Sequence, residues 1–371
     1  MKVGVPREVK NHEYRVAITP AGVHEFVGAG HEVVIESGAG VGSSIPDEDF
    51  EAAGARMLPN ADDVWEYADL ILKVKEPIAS EYDRMREGQV LFTYLHLAAS
   101  RECTQALLDK KVTAIAYETV EDSNGSLPLL APMSEIAGRL ATQVGAYHLM
   151  RSGGGRGTLM GGVPGVHAAR TVVIGAGASG MSAATIALGM QSNVQLLDLN
   201  VDKLRSADQL YRGHLSTVSS NSLEVEQAVT QADLVIGAVL VPGAKAPTIV
   251  SNDLVSRMKP GSVLVDISID QGGCFEDSRP TTHDDPTFAV HNSLFYCVAN
   301  MPGAVPNTST YALTNVTLPY ALELANSGWR QALGKDRTLA YGLNTHDGRV
   351  MYGPVAKAHD LPLSKLEEAL S

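Results

Sequence analysis

Cysteine is scarce in this chain. Cys103, Cys274 and Cys297 are odd in number, far apart and without CxxC spacing, which excludes a disulfide framework and a zinc site of the usual pattern. Reduced thiols in a cytoplasmic setting are the expectation. Long apolar runs are absent too. The longest, Leu234 to Val241, is broken by Pro242, far short of the ~20 residues needed to span a bilayer. The N-terminus runs straight into a strand-like Met1 to Val5 with Arg7, Glu8 and Lys10 close behind, so neither a signal peptide nor a membrane role is expected. Aromatic residues, at 5%, give no sign of base stacking. Basic residues are outnumbered 29 to 42, leaving a formal net charge of -13. The summed field repels nucleic acid and anionic membranes, so an anionic substrate must be drawn in by a few local cations.

What is present is a globular composition, 44% apolar and 19% charged. At 371 residues the chain exceeds what one core usually supports, so two lobes with a cleft are expected. Strand-like and helix-like stretches alternate from the start: Lys2 to Val5, Ala21 to Gly28, His31 to Ile35, Leu70 to Val74, Val90 to Tyr94, Glu102 to Leu108 and Val112 to Ala116. That alternation reads as parallel α/β. After a turn-rich patch, Asp122 to Pro128, a long connector helix is expected over Ser134 to Met150 with Ser134 as its cap. The second domain then follows with strands Thr171 to Ile174, Val194 to Asp198, Leu234 to Ala238 and Ser262 to Ile267, and with helices Val201 to Leu210 and Leu223 to Val229 between them. This is a doubly wound pattern. Thr310 to Ala325 has helical spacing and reads as the return to the first lobe; the rest is polar and short on strands. There is no internal repeat and no low-complexity tract.

The run Gly175-Ala176-Gly177-Ala178-Ser179-Gly180 follows an apolar strand and precedes a small-residue helix, Met181 to Met190. GxGxxG alone is a weak signal, but that context makes it a dinucleotide-binding fingerprint. Gly175 permits the tight turn, Gly177 lets backbone amides approach a pyrophosphate, and Gly180 lets helix and strand pack closely. The helix N-terminus then faces the negative charge. Eighteen residues beyond Gly180, Asp198 ends a strand, where it accepts hydrogen bonds from the ribose hydroxyls and repels the 2′-phosphate of NADP. NAD is therefore the expected cofactor, with Lys203 and Arg205 nearby as the feature pulling the other way. A glycine turn followed by an Asp that merely ends a strand is the plainer alternative.

Several stretches resemble the alanine dehydrogenase family, within the group that also holds the soluble NAD-binding portion of proton-translocating transhydrogenase. They are Val5-Pro6-Arg7-Glu8, Glu13-Tyr14-Arg15-Val16-Ala17-Ile18-Thr19-Pro20, Leu72-Lys73-Val74-Lys75-Glu76-Pro77, Tyr94-Leu95-His96-Leu97-Ala98, Pro132-Met133-Ser134-Glu135, Gly161-Gly162-Val163-Pro164-Gly165, Asp266-Ile267-Ser268-Ile269-Asp270-Gln271-Gly272-Gly273 and Asn300-Met301-Pro302. The resemblance implies two Rossmann-like domains with doubly wound parallel sheets, the NAD domain (129–306) inserted into a discontinuous substrate domain (1–128 and 307–371). It also implies a homohexamer that oxidises L-alanine with NAD to pyruvate and ammonium, reversibly, without a metal.

Taking a hydride from an amino acid needs a carboxylate anchor, a proton shuttle and a nicotinamide held against the α-carbon. Arg15 offers a planar fork suited to a carboxylate, although a lone arginine is more often a solvated surface charge. Lys75 stands at a strand's C-terminal end, where open α/β sheets bind ligands; pairing with Glu76 in a loop is its bland alternative. By the resemblance, both bind the substrate. His96 also ends a strand and carries the side chain best poised for proton transfer near neutral pH, against the alternative of a satisfied core histidine. Asp270 is expected at the end of the strand Ser262 to Ile267, against a role capping the turn at Gly272. The resemblance makes His96 and Asp270 the acid/base pair without saying which acts at which step.

Further positions match the family's cofactor lining: Ser134, Ala178, Lys203, Ser220, Val239 and Leu240, together with Ile267, Asp270, Arg279, Val298, Asn300 and Met301. Two other functions compete. The transhydrogenase portion needs a membrane partner and is expected to lack His96. An NAD-sensing module without chemistry predicts loss of Arg15, Lys75, His96 and Asp270, all of which are here.

Overall fold

A computed structural model describes residues 1–239 and 246–370. The chain divides into two compact units, Met1–Pro132 with Val305–Ser371, and Met133–Ala304. In the first unit, β1 (Lys2–Val5), β2 (Glu32–Glu36), β3 (Arg56–Leu58), β4 (Leu70–Leu72), β5 (Val90–Thr93) and β6 (Thr113–Ala116) pair in parallel in the order β3-β2-β1-β4-β5-β6. All residues of β4, β5 and β6 are buried, as expected of strands covered on both faces. Val34, Trp65, Ile71, Leu91 and Ala114 share one core cluster there.

The second unit repeats the plan. Its strands β7 (Arg170–Ile174), β8 (Asn193–Asp198), β9 (Ser216–Ser219), β10 (Leu234–Gly237), β11 (Val263–Asp266), β12 (Thr287–Val290) and β13 (Ser293–Tyr296) lie in the order β12-β13-β11-β10-β7-β8-β9. All pairings are parallel except that of β12 with β13. One core cluster includes Val173, Leu196 and Ile236, and a second includes Val172, Leu197 and Val235, so neighbouring residues feed opposite faces of the sheet. The chain then returns to the first unit, where β14 (Leu343–His346) runs antiparallel to β6 and pairs with β15 (Arg349–Val350).

In each sheet the winding reverses direction once, between β1 and β4 and between β7 and β10. Crevices at the carboxyl ends of such strand pairs are where open α/β sheets bind ligands.

Two expectations from sequence are corrected. The long helix is Ala131–Leu149, so Ser134 sits inside its first turn and does not cap it; Pro132, with φ preset and no N–H to lose, starts the helix earlier. The strand expected over Ser262 to Ile267 stops at Asp266, because the Asp266 carboxylate accepts from Ser268 N at 2.9 Å and folds Ile267–Gln271 into a 3₁₀ turn. Asp270 therefore lies within that turn and not at the strand's end.

Candidate functional site

In the first unit, four parallel strands lead into charged or proton-bearing residues. Glu8, Glu13 and Arg15 follow β1; Lys73, Lys75 and Glu76 follow β4; Tyr94 and His96 follow β5; Glu118 follows β6. Arg15 is no solvated surface charge. It is 2% exposed, with Nε donating to Glu13 Oε1 at 2.7 Å and a terminal nitrogen to Glu13 Oε2 at 2.6 Å. Burial alone would raise the Glu13 carboxyl, but the Arg15 guanidinium outweighs it and holds Glu13 below its ordinary value.

Lys75 is half-buried, and its ammonium makes no ion pair among the described residues. Glu76 does not take it, being paired with Lys10. The Lys75 backbone is held from the other side: Glu8 Oε1 accepts from Val74 N at 2.6 Å and from Lys75 N at 3.4 Å. Glu8 Oε2 in turn lies 3.1 Å from the fully buried Lys73 ammonium, whose second partner is Glu81 at 2.9 Å.

His96 has left-handed backbone, φ 49°, a conformation a β-carbon disfavours. Glu118 stabilises it by accepting from His96 N at 2.6 Å and from Leu95 N at 3.2 Å. The following turn is pinned at Leu97 O, which accepts from Thr104 Oγ1 at 3.1 Å and hydrogen-bonds His359 Nε2 at 2.7 Å. The imidazole is 40% exposed and its Nδ1 stands 3.8 Å from Glu76 Oε2. Desolvation would push the ring down, but the carboxylates of Glu118 and Glu76 raise it above its ordinary 6.5. For Glu76 the burial penalty is overcome by His96 and Lys10, taking its carboxyl down to about 2.

In the second unit the glycine run has the three roles its spacing requires. Gly175 has φ 106°, and a β-carbon there would sit 2.5 Å from Ala238 O. At Gly180 it would meet Gly175 O at 1.7 Å, while at Gly177 it would meet nothing within 4 Å. Gly177 thus faces open space beside the helix Ala178–Gly189, whose N-terminus has no side-chain cap. The leading N–H groups of that helix suit an anion, so the cradle fits a dinucleotide's pyrophosphate. Asp198 Oδ2 accepts from Ala176 N at 2.6 Å, and Oδ1 from Asn200 N at 2.7 Å. The acid braces the glycine loop with lone pairs to spare for hydroxyl donors.

Of the other cofactor candidates, Ala178 and Lys203 are exposed, and Ser220 N donates to Asp198 O at 2.9 Å. Val239 O accepts from Ser268 Oγ at 2.7 Å. Val298 and Met301 are buried, and Asn300 has φ 63°. The Arg279 guanidinium stacks on Phe288, 4.2 Å from the ring centroid. Ser134 and Ile267 are partly buried, and Leu240 lies outside the described residues. Asp270 is exposed and its carboxylate has no hydrogen bond or ion pair among the described residues. Turn capping falls to Asp266 instead, which is fully buried and also accepts from Cys274 N at 2.9 Å and Ser278 Oγ at 2.5 Å.

The supporting carboxylates Glu8, Glu13, Glu76, Glu118 and Asp266 were not read as functional from sequence. Glu13, two residues from Arg15, and Glu76, next to Lys75, carried a local signal. Among the described residues no group of three or more His, Cys, Asp or Glu side chains is placed to hold a metal, and no helix is long and apolar enough to cross a membrane.

The two family models for the N- and C-terminal domains of alanine dehydrogenase/PNT match residues 4–137 and 141–353. The alanine dehydrogenase of Mycolicibacterium smegmatis is 64% identical over 371 residues, all of both chains. A solved L-alanine dehydrogenase superposes with a TM-score of 0.94 at 50% identity, covering 97% of this chain and 99% of that one. A transhydrogenase from Sinorhizobium meliloti does so at 0.80 and 26% identity, over 95% and 99%.

Proposed function

Since the chain belongs to the alanine dehydrogenase/PNT family, we propose that it is an NAD-dependent L-alanine dehydrogenase, converting L-alanine, NAD and water reversibly to pyruvate, ammonium, NADH and a proton. The observation that carries the substrate side is the set of braced cations at strand ends in a chain of net charge -13. Arg15 is rigidly oriented by Glu13, and Lys75 is held by its backbone with its ammonium in no ion pair among the described residues. Both are assigned to the substrate carboxylate, with Lys75 also facing the oxygen that becomes the carbonyl. The transhydrogenase relative is far less similar, at 26% identity against 64%, which favours the dehydrogenase reading.

NAD, when bound, supplies the hydride acceptor. Gly175, Gly177 and Gly180 would let the backbone approach its pyrophosphate, with the N–H groups from Ala178 onward donating, and Asp198 would take the ribose hydroxyls. The chain's own chemistry is proton handling. Loss of hydride from the α-carbon leaves an iminium, which water must attack before ammonia departs. One group removes a proton from that water and one protonates the leaving nitrogen. These tasks are assigned to His96 and Asp270. We further assign the enzyme to the cytoplasm, as a homohexamer.

The test is direct: mix the protein with L-alanine and NAD at alkaline pH and follow NADH absorbance, then repeat across a short series of amino acids. An alanine-dependent rise is expected. Intact NAD binding without one refutes the assignment.

A further inference from the structure

The buried Oε2 atom of Glu76 has no hydrogen-bond partner among the described residues. A carboxylate oxygen left so is costly, and His96 Nδ1 stands 3.8 Å from it. The other oxygen, Oε1, is taken by Lys10, and Pro77 restricts the Glu76 backbone to extended conformations. The carboxylate is thus fixed with one oxygen turned to the imidazole. We propose that Glu76 is a positioning residue: Oε2 accepts the Nδ1 proton of His96, fixes that tautomer, and leaves Nε2 as the atom that exchanges protons with substrate or water. Closing the gap to a hydrogen bond of roughly 2.8 Å takes about 1 Å of ring movement, and catalytic hydrogen bonds are commonly long before substrate binds. This rests on His96 being a proton-transfer group.

Other groups near the pair cannot do this. Glu118 spends its oxygens on the N–H groups of Leu95 and His96 and acts on the ring only through its charge. Lys75 opposes the imidazolium, and Tyr94 offers its ring at 5.9 Å. Around Glu76 stand Lys10 and Lys75. Cys103 and Tyr82 also feel its charge; burial first and then nearby carboxylates push the Cys103 thiol up to about 12, and burial first and then Cys103 raises the Tyr82 phenol. Neither titrates where His96 does.

Glu76→Gln keeps the size and an acceptor for Lys10 but removes the charge and offers an amide N–H to the ring, favouring the opposite tautomer. The expected result is a kcat lower by roughly 10²-fold, alanine KM and NADH affinity within about twofold, and an acidic limb of kcat/KM for deamination moved to lower pH. Glu76→Asp recovers part of the rate. Glu76→Gln with unchanged kcat and pH profile, or a loss confined to KM, overturns the proposal. His96→Ala runs beside it: if it keeps full turnover, the reading of His96 falls and takes this one with it; if it is dead while Glu76→Gln is normal, only the role of Glu76 falls. A measurement free of any Glu76 variant is the ¹⁵N solid-state spectrum of histidine-labelled protein, with His96 assigned by difference from His96→Gln. Above the pKa, a protonated Nδ1 and bare Nε2 support the assignment, and the reverse tautomer refutes it.

Discussion

Lys73→Met removes the cation from a fully buried triad and isolates what the triad contributes. The ammonium lies 3.1 Å from Glu8 and 2.9 Å from Glu81. At an effective dielectric of ~20 each contact is worth about 5 kcal/mol of gross attraction, offset by a desolvation cost of several kcal/mol per ion. Deleting the cation leaves two buried carboxylates uncompensated, for which about 3–5 kcal/mol of lost stability is expected at pH 8. In the parent, burial would lower the Lys73 ammonium, but Glu8 and Glu81 hold it up at about 12 against its ordinary 10.5. Its stabilisation is therefore complete below 10.5 and lost only as pH rises through about 12. In the variant the sign reverses. Glu8, already raised by burial, loses its nearest cation and rises further, so the folded variant binds protons and recovers stability as pH falls. The deficit at pH 5.5 is expected to be smaller than at pH 8. Urea unfolding followed by tryptophan fluorescence measures this in the right place, since Trp65 and Trp329 both belong to the first unit. The same variant should raise the alanine KM several-fold, because Glu8 also holds the backbone of Lys75. A loss under about 1 kcal/mol, or one independent of pH, refutes the reasoning.

Gly177→Ala and Gly180→Ala separate ligand approach from packing. The first meets no atom within 4 Å and should melt within a degree or two of the parent while weakening NADH at least about tenfold in fluorescence titration; the second, 1.7 Å from Gly175 O, should cost more than ~2 kcal/mol of stability. Asp198→Ala should erode the preference for NAD over NADP in paired kcat/KM measurements, and an unchanged ratio would mean the acid does not face the ribose. On the proposal that His96 is the group that accepts a proton in deamination, kcat/KM should rise with pH through a value above the ordinary 6.5. Glu118→Gln removes one of the charges holding that value up and should shift the limb to lower pH; a limb that stays put would exclude Glu118 as its cause.

The glycine fingerprint was legible because its pattern is local: three glycines, a strand before and a helix after are contiguous in the chain, and Gly180 is required by Gly175 O within the same turn. The central parallel strands were legible for a related reason, since burial on both faces writes itself as unbroken apolar runs such as Val90-Leu91-Phe92. β3, β9 and β12 were missed because they are short and half-exposed, leaving no run and no clean alternation. β14 was missed in a tail read as polar because Asn344 and Thr345 are buried there, Asn344 satisfied by Thr119 and Gly342. At the site, Lys75 and His96, which the proposed function uses, stood out by type and strand-end position. Their supports did not, because a glutamate that clamps a loop sixty-six residues away, as Glu8 does at Val74, looks in sequence like any other of the 42 acids.

Those acids also explain how a strongly negative chain can receive an amino acid. Around the strand ends stand the carboxylates of Glu8, Glu13, Glu76, Glu81 and Glu118 and the permanent cations Lys10, Arg15, Lys73 and Lys75. With His96 neutral the group is one charge negative, and with His96 protonated it is balanced. Lys10 and Lys73 are spent on carboxylates, whereas the Lys75 ammonium is in no ion pair among the described residues and the Arg15 fork is aimed by its partner. With Lys75 and Arg15 as the proposed carboxylate anchors, a zwitterion is the ligand that such a set accepts without a net charge cost, its ammonium matched to the surplus negative charge. Pyruvate, an anion, is better matched once His96 carries its proton. On the proposal that His96 is a proton-transfer group, substrate charge and the proton on His96 are then coupled: the neutral ring goes with the zwitterionic amino acid, and the protonated ring goes with the anionic keto acid.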